Sequence, residues 1–339
     1  MKKTLAILLS ATMMLGVLSG CGNTTTPQNP EQTEKTNIVV YTSESQDLVT
    51  DMLDDFVAKN PDITYTLFRS GTGKVTAKID TELATGSTEA DVIWVADLGY
   101  LYQLDGKGLI EHYTPAAASA IDSKFNYNDG MALEVRQIFN IIAYNTLSCK
   151  VSLSDWDDLA NAELKGKVAM ANPSYSGGAL TTVATHVSNQ NIGWKLYDAL
   201  KANDLKLEES NGNLQTKVAS GEYTAVSIVD FMARNAAAEG SPVASVWPES
   251  GAVMVPTPIA LISGQDEKVT AACQRLLEYL LSDDAQKLFV AQGYIPVSTT
   301  VGVPEGAPEV KDIVTCPLDL DFFVNHTSEV RDRFAALFA

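Results

Sequence analysis

Short runs of apolar, β-branched residues alternate with amphipathic segments along most of this chain. Residues 38–41 and 63–68 are typical of strands, and residues 90–97 form a third apolar run. Between these runs, apolar residues recur every three or four positions, as they do over residues 48–57, which is the spacing of a helix packed on one face. This alternation predicts an α/β domain built on a mainly parallel sheet.

The second half of the chain repeats this alternation after a long extended stretch at residues 135–146. Further strands are predicted at 166–173 and 225–230, and helices at 213–219, 231–238, 267–282 and 283–291. A second extended stretch, at residues 253–262, contains two prolines, and we interpret the two stretches as crossings between two lobes. Residues 293–297 read as a loop, and a final helix is predicted to start near Ser328, where apolar residues begin to recur at helical spacing.

Two turns between a strand and a helix carry serine, threonine and glycine. Residues 68–74 are Phe-Arg-Ser-Gly-Thr-Gly-Lys, and residues 172–178 are Asn-Pro-Ser-Tyr-Ser-Gly-Gly. The beginning of a helix has unpaired N–H groups and the positive end of the helix dipole, and both attract anions. A helix cap alone explains either turn, but the pair favours an anion held from two sides. The first turn is not a P-loop, because Val75 follows the lysine and Phe68 stands in place of the first glycine.

Polar residues also follow other predicted strands. In parallel α/β sheets, ligands bind beyond the carboxyl ends of the strands, so these residues are expected to face one cleft. The predicted ligand-binding residues are Ser43, Glu44, Ser70, Gly71, Thr72, Gly73, Asp97, Arg136, Ser174, Tyr175, Ser176, Gly177, Gly178 and Asp230. The three carboxylates would face a polar or cationic part of the ligand, with a structural cap as the alternative for each. Arg69 or Arg136 would add positive charge, with an ordinary surface arginine as the alternative.

The N-terminus has the features of a lipoprotein signal peptide. Lys2 and Lys3 precede an apolar run over residues 5–18, and Ser-Gly-Cys ends at Cys21. This pattern predicts cleavage before Cys21 and acylation of that cysteine, with a plain secretory signal as the alternative. The polar residues 22–36 have no periodic apolar face, which is typical of a flexible tether.

Composition narrows the class of function. The chain has 339 residues, of which 45% are hydrophobic, enough for two domains with sizeable cores. Its formal net charge is −18, whereas a general nucleic-acid binder needs a basic surface. No later apolar run reaches the roughly 20 residues of a membrane span, so membrane attachment is predicted through the lipid only. Cys149, Cys273 and Cys316 are too far apart for a local zinc site, and their pairing is left open.

Taken in order, these motifs resemble the extracellular solute-binding proteins of ABC importers, in the branch of ferric-ion, hexose-phosphate and 2-aminoethylphosphonate binders. The matching residues are 39–43, 68–73, 90–92, 142–146, 172–177 and 292–297. The resemblance implies a type 2 periplasmic-binding-protein fold, in which two α/β lobes joined by two crossing strands close on a ligand. It also implies delivery of a small anionic solute to an ABC permease by a monomeric receptor that is not an enzyme. The expected division is a signal peptide at 1–20, a tether at 21–36, lobe 1 at 37–138 and 258–300, lobe 2 at 139–257, and a C-terminal helical segment at 301–339.

The ligand is the more open question. Ferric binders of this branch place adjacent tyrosines near the end of the strand predicted at 225–230, but Asp230 and Phe231 stand there in this chain. The three histidines are scattered, so neither a metal site nor a cofactor is predicted. A ferric receptor is the alternative to a receptor for an anionic organic solute. An exported phosphohydrolase is less favoured, because no nucleophile with its base and no carboxylate–histidine cluster is evident. The paired anion-holding turns argue against a purely structural or adhesive lipoprotein.

Overall fold

The structure is a computed structural model that describes residues 35–339. The predicted signal peptide, Cys21 and most of the predicted tether lie outside these residues. The described strands are β1 (Thr36–Thr42), β2 (Ile63–Arg69), β3 (Val92–Trp94), β4 (Ile110–Glu111), β5 (Asn126–Tyr127), β6 (Ala132–Leu133), β7 (Arg136–Gln137), β8 (Phe139–Asn145), β9 (Val168–Ala171), β10 (Lys206–Glu208), β11 (Ala225–Val229), β12 (Val243–Val246), β13 (Val253–Met254), β14 (Ile259–Ile262) and β15 (Ile295–Pro296). The described α-helices are α1 (Gln46–Lys59), α2 (Thr72–Leu83), α3 (Leu98–Asp105), α4 (Gly177–Ser188), α5 (Gly193–Ala202), α6 (Asn211–Ser220), α7 (Asp230–Ala238), α8 (Glu267–Leu280), α9 (Asp283–Ala291) and α10 (Leu320–Leu337).

Two sheets form the centres of two lobes. The first has the strand order β2-β1-β3-β14-β6-β5, with β4 also paired to β14, and the second has the order β10-β9-β11-β8-β12, with β13 also paired to β8. In each sheet three neighbouring strands are parallel. Strand β14 runs antiparallel to β3 in the first sheet, and β8 runs antiparallel to β11 in the second. The predicted two-lobed α/β fold is therefore confirmed. The antiparallel strands arise because the segments that cross between the lobes enter the sheets.

The chain crosses between the lobes twice. The first crossing runs from β6 to β8 and the second from β13 to β14, and they lie side by side, since the N–H of Val255 donates to the carbonyl of Ile138 at 3.0 Å. Strand β7, within the first crossing, pairs with β15, which lies in the segment predicted as a loop. The two crossings agree with the extended stretches predicted from the sequence, and the lobe boundaries given above stay predictions.

Apolar helix faces cover both sheets. Helix α1 begins at its N-cap Ser45 and buries Leu48, Met52 and Phe56 against the first sheet. In the second lobe, α4 is buried over most of its length. Residues 156–160 form a short 3-10 helix. Within residues 35–339, no helix combines the length and the apolar character needed to cross a bilayer.

The C-terminal helix α10 starts eight residues before the predicted position. The Asp319 carboxylate accepts a hydrogen bond from the Phe322 N–H at 2.9 Å and so caps the helix at Leu320. The prediction was wrong because Asn325 and His326 interrupt the apolar repeat in the first turns. Helix α10 packs against α4 of the second lobe and also against α3 of the first.

Candidate ligand-binding site

A cavity of about 320 Å³ lies between the lobes, at the ends of the strands of both sheets. Its wall includes the N-cap residues of five helices: Ser45 of α1, Gly71 of α2, Ser176 of α4, Ser210 of α6 and Val229 of α7. The first N–H groups of a helix have no partner inside that helix. Five helix beginnings therefore give this wall many backbone donors and a positive partial charge.

Most of the predicted ligand residues lie in this wall. The nine that line the cavity are Ser43, Glu44, Gly71, Thr72, Arg136, Tyr175, Ser176, Gly177 and Gly178. The structure therefore brings the two Ser/Gly turns, which are far apart in sequence, to one cavity. Their contact with a ligand stays a prediction.

Three predicted residues lie beside the cavity wall without forming part of it. The N–H of Ser70 donates to the Thr42 carbonyl at 3.1 Å, and the N–H of Ser174 donates to the Asn172 side chain at 2.9 Å. Gly73 faces the Ser174 carbonyl across the junction of the lobes. These residues shape the turns and do not line the cavity, and their contact with a ligand stays a prediction.

Two predicted carboxylates have structural partners instead of facing the cavity. Asp97 caps α3, since it accepts a hydrogen bond from the Tyr100 N–H at 3.0 Å. Asp230 accepts from the Phe139 N–H at 2.8 Å and pairs with Arg234. Burial raises the pKa of both carboxyls. Neither residue lines the cavity, so their predicted role towards a cationic part of the ligand is not supported by their position.

A third helix beginning was missed in the sequence analysis. Residues 209–212 line the cavity at the start of α6, whereas the predicted helix began at Asn213. The sequence did contain a signal for this site. A strand, β10, is followed by a turn with Ser210 and Gly212 and then by a helix, which is the order found at the other two turns. The apolar wall residues were also missed, since apolar positions in the sequence do not distinguish a cavity from a core. These residues are Ile138, Val229, Phe231, Met232 and Val255.

Arg136 and Glu44 form a buried ion pair in the wall. Both residues are less than 5% exposed, and Nη2 of Arg136 donates to the Glu44 carboxylate. Burial is the largest single effect and would lower the pKa of the guanidinium, but the charge of Glu44, its hydrogen bond and the charges of Tyr294 and Glu134 together outweigh burial, so the pKa of Arg136 is raised. The Nε and Nη1 atoms of Arg136 have no hydrogen-bond partner within residues 35–339. The pair is formally neutral, so it fixes the wall without adding net charge.

Tyr294 connects elements of both lobes at the cavity. Its hydroxyl lies 3.1 Å from the Ser45 hydroxyl at the start of α1, and its ring centre lies 4.2 Å from that of Phe231 in α7. The Arg136 guanidinium lies 4.6 Å from the same ring. Burial raises the pKa of Tyr294, so its phenol stays protonated at neutral pH.

The lobes touch beside the cavity, and glycines make the contact. A β-carbon on Gly177 would lie 1.9 Å from the Ala96 carbonyl oxygen, and one on Gly73 would lie 2.8 Å from the Ser174 carbonyl oxygen. At the rim, the Lys74 ammonium lies 3.3 Å from the Glu209 carboxylate. This is the arrangement of a closed cleft.

Glu134 links the two crossings behind the cavity. It is fully buried in the first crossing and accepts a hydrogen bond from the N–H of Thr257, in the second crossing, at 2.9 Å. The Tyr127 hydroxyl donates to the same carboxyl at 3.2 Å. Burial raises the pKa of Glu134 to about 8. A buried carboxyl with a raised pKa therefore joins the two segments that connect the lobes.

We expect Glu134→Gln to remove a pH dependence of stability between about pH 4.5 and pH 8. The folded pKa is above the unfolded value, so the contribution of Glu134 is full below pH 4.5 and is lost as the pH rises through 8. Urea unfolding of both proteins at a series of pH values measures the effect. The variant keeps an acceptor for the Thr257 N–H, and its free energy of unfolding should fall less than that of the wild type as the pH rises. A difference in stability between the two proteins that does not change with pH would contradict the prediction.

Comparison with known proteins identifies the family. Residues 38–295 match the family described as bacterial extracellular solute-binding protein. A sulfate-binding protein of Synechocystis sp. is 22% identical over 343 residues, which cover 90% of this chain and 88% of that protein. The structure of AfuA from Actinobacillus pleuropneumoniae with bound fructose-6-phosphate superposes with a TM-score of 0.78 and 22% identity, covering 89% of this chain and 97% of AfuA. Iron-bound HitA from Pseudomonas aeruginosa superposes with a TM-score of 0.76 and 16% identity, covering 88% and 99%. The chain belongs to the bacterial extracellular solute-binding proteins, the receptors of ABC importers, and it has their two-lobed type 2 fold.

Proposed function

We propose that this protein is the lipid-anchored receptor of an ABC importer for a small anionic solute that carries a phosphate or phosphonate group. Solutes of this class include 2-aminoethylphosphonate and the sugar phosphates. The receptor acts as a monomer at the outer face of the cell membrane, held by the lipid on Cys21. It closes on the solute by hinge motion, delivers it to the membrane-spanning permease subunits and catalyses no reaction.

The convergence of five helix beginnings on one cavity is the observation that carries this proposal. The backbone N–H groups of Thr72, Gly177 and Gly178 have no hydrogen-bond partner within residues 35–339, and all three residues line the cavity. A phosphate or phosphonate group accepts several such bonds at once and is attracted by the helix dipoles. A cavity of about 320 Å³ is of a size for one small solute.

The charges in the wall also favour an anion. Arg69 lines the cavity, and its Nε donates to the Glu44 carbonyl at 2.8 Å. The formal charges of Arg69 and Arg136 balance those of Glu44 and Glu209, the two carboxylates of the wall. The helix beginnings add positive partial charge to this balanced wall.

A ferric receptor is less well supported by this wall. Iron(III) needs several hard anionic oxygens that converge on one point. Across residues 35–339, no group of three or more His, Cys, Asp and Glu residues is placed to hold a metal. The raised pKa of Tyr294 opposes the phenolate that such a site would use. Among the relatives, HitA binds iron, whereas the names of the Synechocystis protein and the AfuA complex refer to sulfate and fructose-6-phosphate.

A phosphohydrolase is also less well supported. The described wall contains no histidine, and its two carboxylates are paired with Arg136 and Lys74. Hydrolysis by an activated nucleophile or by a metal-bound water needs a base or a cluster of metal ligands. A receptor needs only the donors that this cavity offers.

We expect Thr72→Val to weaken solute binding about tenfold, because it removes a hydroxyl donor to a charged group while keeping the shape of the side chain. Ser70→Ala is the matched control, because Ser70 lies two residues from Thr72 in sequence but outside the cavity wall. The affinity of this variant for the solute should stay unchanged. Isothermal titration with the tightest-binding solute of a panel measures both. Equal losses of affinity in the two variants would show that the anionic headgroup does not bind at Thr72.

The panel itself tests the function. The purified mature protein is heated with inorganic phosphate, 2-aminoethylphosphonate, hexose phosphates or ferric citrate. A specific solute raises the melting temperature by mass action, by the equivalent of about 2.7 kcal/mol at a hundredfold excess over Kd. Stabilisation by ferric citrate alone would overturn the proposal in favour of the ferric receptor, and turnover of a phosphoester would favour the enzyme.

A further inference from the structure

The serine hydroxyls of the cavity wall are already engaged as acceptors. Each accepts a backbone N–H bond from its own lobe: Ser43 from Ala96 at 3.1 Å, Ser45 from Leu48 at 3.3 Å, Ser176 from Ala179 at 3.3 Å and Ser210 from Asn213 at 3.2 Å. A hydroxyl that accepts such a bond still has its proton to donate. Each serine therefore has its proton to offer, and one of its two acceptor lone pairs is already used.

The carboxylates of the wall are engaged as well. Glu44 is buried and paired with Arg136, and Glu209 lies 3.3 Å from the Lys74 ammonium at the rim. Sugar hydroxyls and an ammonium group both need acceptors when they are removed from water, and a donor that is left unpaired weakens binding. Part of the accepting capacity of this wall is therefore already used, which favours an anion over a polyol or an amine.

The apolar part of the wall comes from the crossings and from α7, and it lies beside the polar side chains of Thr257 and Asn211. Ile138 and Val255 lie on the two crossings, and Val229, Phe231 and Met232 lie at the start of α7. The Phe231 ring packs on Tyr294, which in turn packs on Arg136, so three flat groups form a stack at this side of the cavity. A flat group of a solute fits against such a stack.

We propose that the solute joins its anionic headgroup to a small, flat, apolar group, as in an aryl phosphate or phosphonate. This inference rests on the proposed function and narrows its solute class. The headgroup binds the helix beginnings, and the apolar group lies against Phe231, Met232 and Val255. Burial of apolar surface, rather than hydroxyl recognition, then selects the solute.

Affinities of the purified mature protein for four probes test the inference. Isothermal titration with phenyl phosphate, glucose 6-phosphate, 2-aminoethylphosphonate and inorganic phosphate should give the lowest Kd for phenyl phosphate, by about tenfold or more. Equal or tighter binding of any other probe would overturn the inference and leave the proposed function standing. If no probe binds, both the inference and the proposed function fail.

A pair of phenylalanine variants locates the apolar group. Phe231→Leu should weaken binding of phenyl phosphate about fivefold and leave the Kd of inorganic phosphate unchanged. Phe68→Leu is the control, since Phe68 also packs on a tyrosine, with ring centres 5.1 Å apart, but lies outside the wall. Equal weakening of both probes by Phe231→Leu, or the same loss in Phe68→Leu, would show that Phe231 supports the fold and does not recognise the solute.

Discussion

Replacing Gly177 by alanine is expected to weaken solute binding about 100-fold, a change of about 2.8 kcal/mol. The added β-carbon would lie 1.9 Å from the Ala96 carbonyl oxygen, and a backbone atom in this position has no rotamer by which to move away. The closed cleft would be excluded while each lobe keeps its own packing. Alanine is also the better helix former at the start of α4, so the stability of the unliganded protein should stay level or rise.

The adjacent glycine supplies the control. A β-carbon on Gly178 would lie 3.5 Å from the nearest Val255 methyl, which is ordinary contact, so Gly178→Ala should bind nearly as wild type. Isothermal titration gives the affinities, and small-angle X-ray scattering with saturating solute shows whether the radius of gyration falls. A Gly177→Ala protein that still contracts on binding would refute the assignment of this contact to closure.

Arg136→Met is expected to destabilise the unliganded protein by about 3–5 kcal/mol. The substitution leaves the buried carboxylate of Glu44 without its partner, and an isolated buried charge is costly. Urea unfolding at neutral pH measures the loss as a lower midpoint at an unchanged slope.

The double variant Glu44→Gln with Arg136→Met separates charge from packing. The double variant removes the uncompensated charge, so it should regain at least half of the stability that Arg136→Met loses. A double-mutant cycle then gives the interaction energy of the ion pair. If the double variant is as unstable as the single one, the loss comes from the stacking of Arg136 on Tyr294 and not from the ion pair.

Much of the fold could be predicted from the sequence because local patterns decide it. The spacing of apolar residues placed α1 to within two residues at each end and β2 to within one. The second extended stretch is the second crossing. Helix α10 was placed too late because its first turns are polar and its start depends on the cap at Asp319. Strand β15 was missed because a two-residue strand exists only through its pairing with β7, which no local pattern reveals.

The candidate site could be predicted in part. Ser176 and Gly177 were found because a Ser/Gly turn before a helix has a recognisable sequence. Asp97 and Asp230 also stand directly after predicted strands, but in the structure Asp97 caps a helix and Asp230 forms a buried ion pair. Phe231 and Tyr294 could not be found, because the two rings meet only when α7 and the segment after α9 are folded together.

The position of β14 has a consequence for biogenesis. This strand lies between β3 and β6 in the middle of the first sheet, although it follows the whole second sheet in the chain. A nascent chain that has not yet emerged beyond residue 262 lacks the strand that joins the two halves of that sheet. The first lobe therefore cannot complete its central sheet until residue 262 has been synthesised.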